Sequence, residues 1–118
     1  MLKRRFRLTK RGSFNYVYRK GHSVRGRNIS LIFTTGKDLP RIGFSVNNKV
    51  GCAVVRNKLK RRMRAVIGAV IGDVLPCQAV FAVKSQAGEM TFAQIEKELN
   101  LLLQKSGLLK RHDGEKEI

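Results

Sequence analysis

Acidic side chains are almost missing from the first 72 of the 118 residues. Asp38 stands alone there against 19 lysines and arginines. Cleaving a phosphodiester with magnesium held by protein needs several carboxylates gathered at the ion, and one aspartate does not provide them. A metal-free nuclease would need a positioned pair of histidines. The chain has His22 in a connecting segment and His112 near its end. The expectation is a protein with no active site and no metal site of its own. Cysteine is equally sparse: Cys52 and Cys77, without CxxC spacing. Two cysteines and two scattered histidines lack the ligand spacing of zinc sites. In a reducing compartment both cysteines read as small buried apolar residues rather than a disulfide. No apolar run approaches the roughly 18 residues that suggest a membrane span. The N-terminal MLKRRFRLTKR has no apolar core of the kind a secretory signal carries. A cytoplasmic protein with no membrane partner is expected.

What the chain has in excess is positive charge. The net charge is +17, and in a compact monomer such charge repels itself, so a polyanionic partner is implied. Residues 73 to 118 carry six basic and seven acidic side chains, so the surplus lies in the first 72. Its densest part is VVRNKLKRRMRAVI, residues 54 to 67. Arg56, Lys58, Lys60, Arg61, Arg62 and Arg64 share nine positions with Asn57. At 100° per residue, Cys52, Val55, Leu59, Met63, Val66, Ile67 and Val70 form one apolar side. Asn57, Lys60, Arg61 and Arg64 fall together on another. Guanidinium forks bond phosphate oxygens in pairs, and asparagine can donate and accept toward sugar or base. A merely solvated helix would mix signs to gain pair energies of about a few tenths of a kcal/mol. Here no acid interrupts the 22 residues from Lys49 to Val70, so the stretch reads as a nucleic-acid-binding helix.

The length suits a single domain, 1–118, with a modest core. Residues 1–8 read as a basic flexible arm and 109–118 as a frayed tail. Ser13 can cap a short helix with Phe14, Val17 and Tyr18 at helical spacing, ended by Gly21. Residues 28–35 and 41–47 read as strands joined by a Gly36–Pro40 turn. The basic helix follows over 54–70. Pro76 precedes a strand over 77–84, and Ser85–Gly88 is a loop. Thr91 caps a helix from Phe92 to about Lys105, with Ile95, Leu99 and Leu102 or Leu103 inward, closed by Gly107. The order αββαβα describes an α+β sandwich, a small mixed sheet of three or four strands covered by helices. If strands 41–47 and 77–84 are parallel, the general rule makes their crossover right-handed.

Aromatics form the second constellation. Phe14, Tyr16 and Tyr18 lie on the first helix beside Arg19 and Lys20, and Phe33 and Phe44 lie on strands. Aromatics near a basic sheet can stack unpaired bases, worth about 1–3 kcal/mol per base. Core packing is the alternative, above all for Phe44.

The stretch GFSVNNKVGCAVVRNKLKRRMR, residues 43 to 64, resembles the signature of the bacterial ribonuclease P protein subunit. Arg56, Asn57, Lys60, Arg61 and Arg64 fill the fixed positions of its Arg-Asn-x-x-Lys-Arg-x-x-Arg part. Gly51, Ala53 and Val54 match the preceding turn. Phe14 and Tyr18 before a Lys-Gly, the strand at 28–35 and the final Thr-Phe…Leu helix extend the resemblance to about residues 8–108. It departs at Asn48-Lys49, where paired lysines are usual, and at Val83-Lys84, where the usual basic residue is shifted by one. The resemblance implies a cytoplasmic ribonucleoprotein that removes the 5′ leader of precursor tRNA, with catalytic Mg²⁺ on the RNA subunit. It implies that Arg56, Asn57, Lys60, Arg61, Arg64 and Lys49 contact the catalytic RNA, and that no protein partner is required. A cleft between the first helix and the sheet, with Phe14, Tyr18, Phe33 and Phe44, would hold the single-stranded leader. The resemblance also implies a left-handed crossover around the basic helix. The alternative reading is a ribosomal or other structural RNA-binding protein. A helix-turn-helix DNA binder is disfavoured, because no partner helix precedes the basic one at a short turn.

Overall fold

The structure is a computed structural model that describes residues 6–8, 11–36, 39–84 and 90–109, without the side chains of residues 11–13. Lys37 and Asp38 of the expected turn, the 85–88 loop, the first five residues and the tail from 110 lie outside the described residues. The elements run α1 (Arg11–Lys20), β1 (His22–Arg25), β2 (Ile29–Thr35), β3 (Arg41–Val46), α2 (Ala53–Val70), β4 (Cys77–Val83) and α3 (Phe92–Ser106). They form one four-stranded mixed sheet, order β1-β2-β4-β3. β3 runs parallel to β4, and the other two pairs are antiparallel. The sandwich, the mixed sheet and the three helices agree with the sequence.

Alternation along the strands sends side chains to two faces. Ile29, Leu31, Ile42, Ala79, Phe81 and Val83 join the main core, with Leu59, Met63 and Ile67 of α2 and Ile95, Leu99 and Leu103 of α3. On the other face, Leu8, Val17 and Val80 form a smaller cluster with Phe14 and Ile32. So α2 and α3 cover one face and α1 crosses the other. β4 reads CQAVFAV, nearly all buried, because it lies inside the sheet with helices on both faces.

Three local readings change. β1 was not assigned from the sequence. Its residues, HSVR, are mostly exposed, so no apolar alternation marks it, and its extended form comes from pairing with β2. The helix α1 starts two residues before Ser13, which therefore is not its cap. The end of the expected arm is docked: Leu8 is 6% exposed, and its N–H donates to the Ile42 carbonyl at 2.9 Å. At the other end, Thr91 makes a full capping box with Gln94, as its sequence spacing indicates. Gly107 takes φ 78° at the C-cap of α3, a left-handed conformation that favours glycine.

Candidate RNA interface

The basic helix presents its charges in three directions. Leu59, Met63, Val66 and Ile67 are buried beneath it, as the stripe requires. Arg56 and Arg62 are used by the fold. Arg56 Nε donates to the Gly51 carbonyl at 3.1 Å, clamping the turn that enters α2. Arg62 Nη1 donates to the Met90 carbonyl at 3.1 Å, holding the approach to α3. Asn57, Lys58 and Arg61 point into solvent. Lys60 and Arg64, four residues apart, are half-buried along the side of the stripe. Among the described residues, the side chains of Asn57, Lys60, Arg61 and Arg64 have no hydrogen bond or ion pair, which leaves three cations and an amide for a partner. Lys49 is exposed in the short 3₁₀ turn Asn48–Val50 just before α2. The Asn47 side chain organises this turn by accepting the Lys49 N–H at 2.9 Å.

A notch of about 100 Å³ lies at the β3 edge of the sheet. Phe14, Gly43, Phe44, Lys60 and Arg64 line it with residues 7 and 8. The Phe14 ring lies directly over Gly43, where a Cβ would stand 2.5 Å from its Cζ. At the other end of α1, Gly21 sits against Ile32 and the Phe33 carbonyl, with a would-be Cβ 2.4 Å from the Val17 carbonyl oxygen. The helix thus lies along the register row Gly43, Val80, Ile32. The next row, Ser45, Ala82 and Ser30, carries small half-buried side chains beside it. Tyr16 and Tyr18 stand 47% and 45% exposed on α1.

The four aromatics named from the sequence are therefore not in one place. Phe14, half-buried, and Tyr18, exposed, belong to α1. Phe44 stacks on Phe81 at 5.8 Å in the main core and reaches the notch at the sheet edge. Phe33 packs with the main core and lies tilted against His22 at 5.9 Å. It projects from the face opposite α1, so, contrary to the expectation from sequence, Phe33 does not share a cleft with Phe14. Ile32 is the β2 residue on the α1 side, and it was missed. Period-two alternation separates it from Phe33, but nothing in the sequence says which face α1 covers.

Cys52 departs from its expected burial. The helix begins at Ala53, so Cys52 is its exposed N-cap. First-turn N–H groups, of Val55 and then Val54, favour its thiolate and lower its pKa, with a small contribution from Arg56. Cys77 is buried, and desolvation pushes its thiol up to about 12. At pH 8, iodoacetamide should label Cys52 first and reach Cys77 only after denaturation, as mass spectrometry of the labelled peptides would show. Comparable labelling of both in the folded chain would contradict this environment for Cys77. The raised pKa also implies that stability is unaffected by Cys77 below about pH 9 and declines as pH rises from there toward 12.

Among the described residues, no group of three or more His, Cys, Asp or Glu could hold a metal ion, and no helix is long and apolar enough to cross a membrane. Comparison with known proteins identifies the family of the chain. The family model for ribonuclease P matches residues 2–107. This chain belongs to the ribonuclease P protein family. The ribonuclease P protein component of Geobacillus sp. (strain WCH70) is 34% identical over 113 residues, covering 93% of this chain and 97% of that one. The solved ribonuclease P protein of Staphylococcus aureus superposes with a TM-score of 0.84 at 31% identity, covering 89% of this chain and 98% of that one. That of Thermotoga maritima gives 0.77 at 27%, covering 84% and 96%. The chain is thus the protein subunit of the ribonuclease P ribonucleoprotein, which processes the 5′ end of tRNA, and it partners the ribonuclease P RNA as the non-catalytic subunit. The reading as a structural RNA-binding protein outside a catalytic complex falls with this membership.

Proposed function

We propose that the two free sides of α2 serve two RNA strands. The outward side, with Asn57 and Arg61, contacts the ribonuclease P RNA together with Lys49 of the turn before α2. The side bearing Lys60 and Arg64 faces the notch with Phe14 and Phe44, and there it holds the single-stranded 5′ leader of precursor tRNA. Arg56 supports the first contact by fixing the turn into α2. The observation that carries this reading is that Lys60, Arg64, Phe14 and Phe44 line one notch together. Cations suit the leader phosphates and ring faces suit unpaired bases, a combination that binds single strands with little sequence demand. Tyr18, exposed on α1, and the small-residue row Ser45, Ala82 and Ser30 extend the path. Catalytic Mg²⁺ belongs to the RNA subunit in this reading, and no step is assigned to it on the protein. The cytoplasm is the location that goes with a precursor tRNA substrate.

The test is the ratio of precursor to mature tRNA affinity in the reconstituted holoenzyme. Tyr18→Ala should weaken precursor binding by about 1–3 kcal/mol, the stacking range, and leave mature tRNA nearly unchanged. An equal loss for both substrates would remove Tyr18 from the leader path.

A further inference from the structure

A second cavity, of about 690 Å³, shares no residue with the notch. It lies between the β1–β2 turn and α3, two to three strands from β3 and hence about 10–14 Å away across the sheet. Its volume falls in the range of roughly 300–1,000 Å³ typical of ligand sites. Among the described residues, Glu98 is the acid in its wall, and that carboxylate is fully engaged. Its Oε2 accepts the N–H groups of Asn28 and Ile29, each at 2.6 Å, and its Oε1 accepts Asn28 Nδ2 at 3.3 Å. Arg27 and Lys97 line the same cavity, are exposed, and their side chains make no hydrogen bond or ion pair among the described residues. Two uncompensated cations therefore border a cavity whose own acid is turned to the backbone. Met90 and Leu101 add an apolar wall, with Leu101 45% exposed. Gln94 adds an amide.

Free cations around an apolar wall suit a nucleotide, with its phosphate on the charges and its base against the wall. A free small anion would leave Leu101 unused. A protein partner would have to bring acids to a chain whose family partner is RNA. We propose that this cavity is a second contact with the ribonuclease P RNA, in which Arg27 and Lys97 hold a backbone phosphate and Leu101 receives an unpaired base. Glu98 positions the site by fixing the turn that carries Arg27. The proposal rests on family membership and not on the leader path.

The experiment measures binding of the full chain to the ribonuclease P RNA across monovalent salt, with no tRNA present. Arg27→Gln and Lys97→Gln should each reduce the slope of log affinity against log salt by about 1. Leu101→Glu, at an exposed position, should weaken binding more than either, because it sets a carboxylate against the phosphate. Lys105 is also an exposed cation on the same helix but lies outside the cavity, and Lys105→Gln should change the slope less. The proposal is overturned if Lys105→Gln matches the cavity variants, or if only one or neither cavity cation changes the slope. It is also overturned if Leu101→Glu binds as the parent does. Since tRNA is absent, these outcomes are separate from the precursor-to-mature ratio that tests the leader path.

Discussion

Glu98→Ala should lower folding stability by about 2–4 kcal/mol, the largest effect expected of any exchange on this surface. Hydrogen bonds to a charged group contribute about 1.5–3 kcal/mol each, and this carboxylate accepts three. Two come from consecutive backbone N–H groups at the start of β2, and Ile29, which supplies one, is fully buried. Alanine would leave both donors to whatever water enters the neighbouring cavity, so the loss is less than the three bonds summed. For a domain of this size the melting temperature should fall by roughly 10 °C. Glu98→Gln should keep more than half of the stability, because one amide oxygen can take the place of Oε2, which receives both backbone donors. Thermal melts of the two variants check this. An alanine variant that melts within about 2 °C of the parent would show that Glu98 does not hold the β1–β2 turn.

Arg61→Ala and Arg64→Ala should each weaken RNA binding by about 1–3 kcal/mol, roughly five- to 150-fold, but toward different strands. Arg61 is fully outside the core stripe, whereas Arg64 borders the notch with Lys60, Phe14 and Phe44. Arg61→Ala should reduce affinity for the ribonuclease P RNA and leave the precursor-to-mature ratio unchanged. Arg64→Ala should lower that ratio. Neither side chain makes a hydrogen bond or ion pair among the described residues, so melting should barely change, in line with the roughly 0.5 kcal/mol typical of surface exchanges. Should both variants lose RNA affinity and substrate discrimination in the same proportion, α2 has a single RNA-binding side, and its division is wrong. Early melting of either would instead place its side chain in the fold.

Much of this protein could be read directly from its residues. The α2 stripe of Leu59, Met63, Val66 and Ile67 was legible because helical period and burial depend on local spacing. Thr91 and Gly107 were legible as ends of α3 because capping is a local matter between a backbone and its nearest side chains. The charge surplus and the motif from 43 to 64 indicated an RNA partner, since such charge density demands a polyanion. β1 was illegible, being a short edge strand whose extension is imposed by β2. The docking of Leu8 was illegible for the same reason: its partner, Ile42, is distant in sequence.

The candidate site divides in the same way. Residue types, helical angle and charge determined that Asn57, Lys60, Arg61 and Arg64 lie off the buried stripe. They could not determine which of them meets another element. Only the packing of α1 over Gly43 and Ile32 puts Phe14 beside Lys60 and Arg64 and sends Phe33 to the opposite face. Likewise only the tertiary fold ties Arg62 to Met90 and Glu98 to the start of β2, leaving Arg27 and Lys97 without an ion pair among the described residues. The physical reason is range. Period, capping and net charge are set within a few residues of chain, whereas the face a helix covers and the partner a charge finds depend on segments up to 70 residues apart.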